Sequence, residues 1–162
     1  MKIYISTFSN IRNFKPNMIP ISTALGWPWW LYKNSGYSLG TYYVDKNNIM
    51  IGISDNRLHF DKTEFEKLEE PCQKNCPYID KAPNCQFMKA YYKHLSKLSF
   101  SEIIKDFKET AEEVRKVTHF EGEPIIVLLV YEAPTCKCAE RPCLQRWFKD
   151  NNYILNELHI DK

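Results

Sequence analysis

The chain has 162 residues and a mass of 19.2 kDa, enough for one compact domain with a sizeable core and too few for two ordinary ones. Hydrophobic residues make up 44% and charged residues 26%, which excludes wholesale disorder. The formal net charge is +2 with both signs interspersed, so no single-sign field indicates nucleic acid or a membrane surface as partner.

In chain order, Lys2 to Thr7 is rich in Ile and Tyr and reads as a first strand. It turns polar at once, without the long apolar stretch of a signal peptide or spanning helix, and this predicts a cytoplasmic protein. Asn10 to Asn17 is a polar connection carrying Arg12, and Met18 to Ser22 is a second short extended segment. From Leu25 to Tyr43 the chain is dense in aromatics and punctuated by Gly and Pro, so an irregular structured loop is expected. Asp45 to Asn48 supplies turn chemistry before a short strand or hairpin arm over 48–53. Asp61 with Glu64 caps a predicted short helix that Pro71 stops.

Residues 71–86 form a Cys-rich insertion within the single domain, in which Cys72, Cys76 and Cys85 are accompanied by Pro77 and Pro83, so a loop is expected there. Phe87, Met88, Tyr91, Tyr92, Leu95 and Leu98 then recur at helical spacing, and Ser99 with Glu102 forms the S-x-x-E signature of another helix start. That second helix carries Ile103, Ile104, Phe107, Ala111 and Val114 on one face and Lys105, Lys108, Glu109, Glu112 and Glu113 on the other. A turn over 121–124 leads to the uninterrupted apolar run Ile125 to Val130, which predicts a strand buried on both faces of a central sheet. The second cysteine cluster, Cys136, Cys138 and Cys143, occupies the strand-to-helix turn that follows. Leu144, Trp147 and Phe148 give the next helix a buried face, Asn151 and Asn152 end it, and Tyr153 to Ile160 reads as a final strand. These alternations predict an α/β fold, a three-layer sandwich with a largely parallel central sheet.

Several of these segments together resemble the domain of unknown function 488 family of small bacterial and phage proteins. Met1 to Arg12 looks like that family's first strand and loop, Ile19 to Ser22 like its second strand, and Leu98 to Ile104 like its capped helix start. The closest likeness is Leu128 to Pro134, containing Tyr131 and Glu132, followed by Cys138, Arg141 and Trp147: a strand, a Tyr-Glu-x-Pro turn and a helix. The chain departs from the family pattern at Val130, where a cysteine is common, and at Cys138-Ala139-Glu140-Arg141, which replaces a Cys-His-Arg turn. No imidazole is therefore supplied there. The resemblance leaves residues 25–85 uncovered. It implies a layered α/β fold with a pocket at the strand ends and no particular reaction.

Two kinds of chemistry are legible. Cytosolic cysteines grouped in this way are more often metal ligands than disulfides, and four thiolates close a tetrahedral structural zinc site. Cys72, Cys76, Cys85 and Cys138 are the expected set, with Cys136 and Cys143 as alternates. An iron–sulfur cluster ranks below zinc because neither cluster has a ferredoxin-like spacing. A thiol redox role at Cys136 and Cys138, beside Lys137 and Arg141, ranks lower again.

The second kind is ligand binding at the strand ends. Arg12 and Arg141 can hold an anion, Asn10 lies in the same loop as Arg12, and Trp30 among its neighbouring aromatics can stack a planar ring. Ser22 and Tyr131 join this set through the resemblance. Glu132, at a strand end, is the acid/base candidate, against the plainer reading that it caps the next helix. The expected ligand is a nucleotide- or nucleoside-like small molecule, either turned over or bound and sequestered without catalysis. The familiar phosphate-loop, dinucleotide, zinc-protease and serine-hydrolase motifs do not occur in the sequence.

Overall fold

A computed structural model describes residues 1–24, 26–32, 35–39, 42–60, 86–131 and 140–160, with side chains outside 35–39. The predicted helix over Asp61 to Leu68, Cys72, Cys76, Cys85, Cys136, Cys138 and Glu132 lie outside the described residues.

The fold is built on β1 (Lys2–Thr7), β2 (Met18–Ser22), β6 (Ile125–Val130) and β7 (Asn156–Glu157), which form one parallel sheet in the order β2-β6-β1-β7. β1 and β6 pair along their full lengths, from Lys2 opposite Ile125 to Thr7 opposite Val130. The apolar run of β6 is buried from Ile126 to Val130, as its lack of alternation requires of a strand covered on both faces. The expected α/β fold with a largely parallel sheet is therefore present. The final strand is shorter than the predicted Tyr153 to Ile160, because only Asn156 and Glu157 pair with β1.

Residue parity divides the core. Ile3, Ile5, Ile19, Ile21, Ile126, Leu128 and Val130 face one side, where three helices cover them: α2 (Gln86–Ser96), α3 (Phe100–Thr118) and α4 (Glu140–Asp150). Met88, Tyr91 and Leu95 of α2, Ile103, Phe107, Ala111 and Val114 of α3, and Leu144, Trp147 and Phe148 of α4 supply the packing. The periodicities read in the sequence are those faces. Ser99 caps α3 by accepting from the Glu102 amide, and His119 ends it in the left-handed conformation. Met18, Val127 and Leu129 face the opposite side, where a 3₁₀ helix (Phe8–Asn13) covers them with Phe8 and Ile11, helped by Phe14, Ile49, Ile51 and Leu158.

The aromatic stretch expected to be irregular is more regular than that. Trp29–Tyr32 forms the short helix α1, and β3 (Ser35–Leu39), β4 (Tyr42–Asp45) and β5 (Met50–Ile51) make an antiparallel sheet. Closely spaced tyrosines favour strand pairing, which outweighs the punctuating glycines. The β4–β5 turn uses the predicted chemistry: Asp45 accepts from the amides of Asn47 and Ile49, while Asn48 takes a left-handed conformation at φ 64°.

This small sheet meets the parallel one beside β2. The Ser22 amide donates outward to the Ile53 carbonyl, and the Asp55 amide donates back to the Ser22 carbonyl. Pro20 shares the parity of Ser22, so its missing N–H is on the outward side and no bond to β6 is lost.

Leu128 is fully buried at the centre of β6, and its truncation to Ala is expected to cost about 2–5 kcal/mol of unfolding free energy. Removing the α3 cap with Ser99→Ala is expected to cost only about 1 kcal/mol. Urea denaturation of the two variants side by side checks both magnitudes; comparable losses would mean that the cap, not the strand, anchors this layer.

Candidate functional site at the C-terminal edge of the parallel sheet

The chain leaves adjacent strands β1 and β6 in opposite directions. From β1 it crosses the face covered by the 3₁₀ helix to reach β2, and from β6 it crosses the helical face through α4 to reach β7. Right-handed crossovers that run in opposite directions must lie on opposite faces, and these do. The carboxyl ends of β1 and β6 are therefore a topological switch point, the position at which open α/β sheets take their ligands.

The 3₁₀ helix immediately after β1 determines what stands at that edge. Three residues per turn stack its side chains in pairs. Phe8 and Ile11 are buried in the core, Ser9 and Arg12 are exposed together, and Asn10 and Asn13 form the third pair. The Asn13 amide donates to the Asn10 side-chain carbonyl at 2.9 Å, and the Asn10 amide donates to the buried Ser6 hydroxyl at 2.9 Å. The loop is thus tied to the strand that carries it. Arg12 makes no hydrogen bond or ion pair among the described residues.

Two clefts flank the Ser9 and Arg12 ridge. One, of about 290 Å³, is lined by Thr7, Asn10 and Asn13 on one side and by Glu157 and His159 on the other. The second, of about 280 Å³, places Arg12 with Trp30, Leu31, Asp45 and Lys46. Asn10, Arg12 and Trp30, named from sequence, therefore border two clefts that share Ser9 and Arg12. Tyr131 stands nearby: it is 57% exposed, and its ring centroid lies 4.6 Å from that of Phe8, which meets Trp27 edge-on at 5.4 Å. Burial raises the Tyr131 hydroxyl pKa, and the same cause, followed by the neighbouring Tyr43 and Tyr131, raises that of Tyr32.

Ser22 and Arg141 occupy interior positions. The Ser22 hydroxyl accepts from the Ala24 amide and lies within bonding distance of the Ala24 and Gly26 carbonyls, so it shapes the turn after β2. Thr23 donates to the Leu129 carbonyl and lies 3.2 Å from Glu140 at the start of α4, joining the ends of β2 and β6 to that helix. Arg141 is only 3% exposed, and its Nε donates to Glu157 Oε2 at 2.9 Å. Cys143 is buried two residues further on, where its thiol donates to the Met88 carbonyl at 3.5 Å.

Glu157 is the site residue that sequence reading missed. Alone in a run of mixed residues it carries no signal, and it becomes visible once β7 lies beside β1. Burial raises its carboxyl pKa above the ordinary carboxylate value of 4.5, opposed by the charge and hydrogen bonds of Arg141 and by His159. Among the described residues no group of three or more His, Cys, Asp or Glu side chains is arranged to hold a metal ion. None of the described helices is long and apolar enough to cross a membrane. No family model, curated protein or solved structure matches the chain.

Removing the partner of a buried charge leaves it uncompensated. Arg141→Ala is therefore expected to cost about 3 kcal/mol, near the lower end for buried pairs because Glu157 keeps some contact with water. Because the folded state raises the Glu157 pKa, its stabilising contribution is complete below the ordinary carboxylate value and fades as pH rises through the raised one. Denaturation curves collected between pH 4 and 7 are expected to show this loss in the wild type and its absence in Glu157→Gln. Parallel pH dependences in the two proteins would count against it.

Proposed function

We propose that the C-terminal edge of the parallel sheet binds a nucleotide- or nucleoside-like small molecule, with Arg12 on its phosphate and Trp30 against its ring. The observation that carries this reading is Arg12: an arginine without an ion pair among the described residues, on a ridge between two clefts at a topological switch point. Guanidinium donors in a fixed fork suit a phosphate, and an exposed aromatic suits any base. Asn10 and Tyr131 complete the ligand-side set, the latter in keeping with the resemblance to the domain of unknown function 488 family; Ser22 contributes by shaping the turn, and the buried Arg141 by holding Glu157 rather than by touching the ligand.

Turnover is a separate proposition, with Glu132 as the acid/base candidate because of its place at a strand end. Incubation of the pure protein with a nucleotide pool, followed by analysis of retained and released compounds, separates the two cases. Bound but unchanged compounds identify a sequestering or sensing protein, and new products identify an enzyme. Arg12→Ala is expected to weaken nucleotide binding by roughly tenfold or more, given about 1.5–3 kcal/mol for a hydrogen bond to a charged group. Unaltered affinity in calorimetry would remove Arg12 from the site.

For the cysteines we propose a structural zinc ion held by Cys72, Cys76, Cys85 and Cys138, with Cys136 and Cys143 as alternates, in a cytoplasmic protein whose thiols stay reduced. Three thiolates from the insertion and one from the turn after β6 would cross-link those two segments. Elemental analysis of anaerobically purified protein is expected to find about one zinc per chain. A colourless, metal-free protein whose thiols all titrate would refute both zinc and the iron–sulfur alternative.

A further inference from the structure

We infer that the cleft between the 3₁₀ turn and β7 is a ribose subsite, in which the Glu157 carboxylate accepts hydrogen bonds from the vicinal hydroxyls of a ribonucleotide. This rests on the nucleotide reading of the same edge and adds to it the sugar that is recognised.

Glu157 is half-buried, lines the cleft, and is held in place by two hydrogen bonds from Arg141, Nε to Oε2 at 2.9 Å and an Nη to Oε1 at 3.4 Å. An ionised carboxylate offers about four acceptor sites and no donor. With two taken by Arg141, the remainder face a partner that must bring hydrogens. A phosphate or carboxylate ligand brings none. A cation brings them, but Arg141 and His159 stand beside Glu157 and Arg12 borders the same cleft, so further positive charge is disfavoured there. What remains is a neutral pair of donors held side by side; in a nucleotide whose base lies against Trp30 and whose phosphate lies on Arg12, that pair is the vicinal diol of the ribose. An acidic side chain on ribose hydroxyls at the edge of a parallel sheet is an established physical solution to this recognition.

The layout of a nucleotide fits the rest of the edge. The 2′- and 3′-hydroxyls occupy the side of the furanose opposite its ring oxygen, so a sugar that presents them to Glu157 directs both base and 5′-phosphate away from it. That direction leads over the Ser9 and Arg12 ridge toward Trp30. Arg12 has five N–H donors for the phosphate. Asn10 and Asn13 each spend one amide hydrogen within the loop and keep a second that can reach a sugar oxygen. Each cleft alone falls just short of the range of roughly 300–1,000 Å³ typical of ligand pockets, and the two together fall within it.

Calorimetric titration of the full chain with the four common ribonucleoside 5′-monophosphates and their 2′-deoxy counterparts tests the subsite. At least one ribonucleotide is expected to bind roughly tenfold or more tightly than its deoxy form, since the lost bond is one to a charged acceptor. In Glu157→Gln, which keeps the side-chain size and one acceptor for Arg141, that preference is expected to shrink to a few-fold, whereas Arg12→Ala weakens both forms together. Equal binding of the two sugars by the wild type overturns the ribose subsite and leaves the nucleotide reading standing. Failure of every nucleotide to bind overturns both. The wild-type comparison needs no variant, so a folding defect in Glu157→Gln would not blunt it.

Discussion

The parallel pairing of β1 with β6 is the contact on which the remaining structure depends. It joins the first strand to one more than a hundred residues later in the chain through six consecutive residue pairs, from Lys2 with Ile125 to Thr7 with Val130. Such long-range parallel pairing forms only after the loop-closure entropy of the intervening chain has been overcome. Its stability therefore comes from side chains buried on both faces, with Ile3, Ile5, Ile126 and Leu128 toward the helices and Val127 and Leu129 toward the 3₁₀ turn. Each covering layer requires the pair, since neither the helices nor the turn contains enough apolar surface to form a core alone.

The same pairing places the candidate site. Because β1 and β6 are neighbours whose continuations lead to opposite faces, the 3₁₀ turn on one and α4 on the other, the polar side chains that follow β1 stand at a topological switch point. The chain there is a short, tightly wound segment whose three-residue repeat sorts apolar, charged and amide side chains into separate columns. Rigidity at a site of this type comes from that repeat and from the Ser6, Asn10 and Asn13 hydrogen bonds. The opposite wall is rigid for a different reason: Glu157 is fixed by a buried arginine from α4.

Features that announce themselves by local pattern were legible in the sequence. The apolar run of β6, the amphipathic period of α3 and the Ser99 cap each carry their own signal over a few residues, and Asn10 and Arg12 follow directly from a strand end. Features created by distant contacts were not. Arg141 looks like an anion holder until β7 brings Glu157 to it, and Glu157 has no pattern of its own. The β3–β4 hairpin was hidden because glycines within it read as loop punctuation, while the tyrosines between them form the strands. Topology, which decides that β7 lies next to β1, is the information that the local sequence lacks.

Pro20 has a consequence that extends past this chain. An outer strand normally presents a row of donors and acceptors on which another polypeptide can align. On β2 the proline removes one donor from that row, and Ile53 and Asp55 already occupy the groups of Ser22. At the far side of the sheet β7 contributes only two paired residues. A foreign strand meeting either border would find a ladder with rungs missing or taken, so the parallel sheet is protected against lengthening into neighbouring molecules at high concentration.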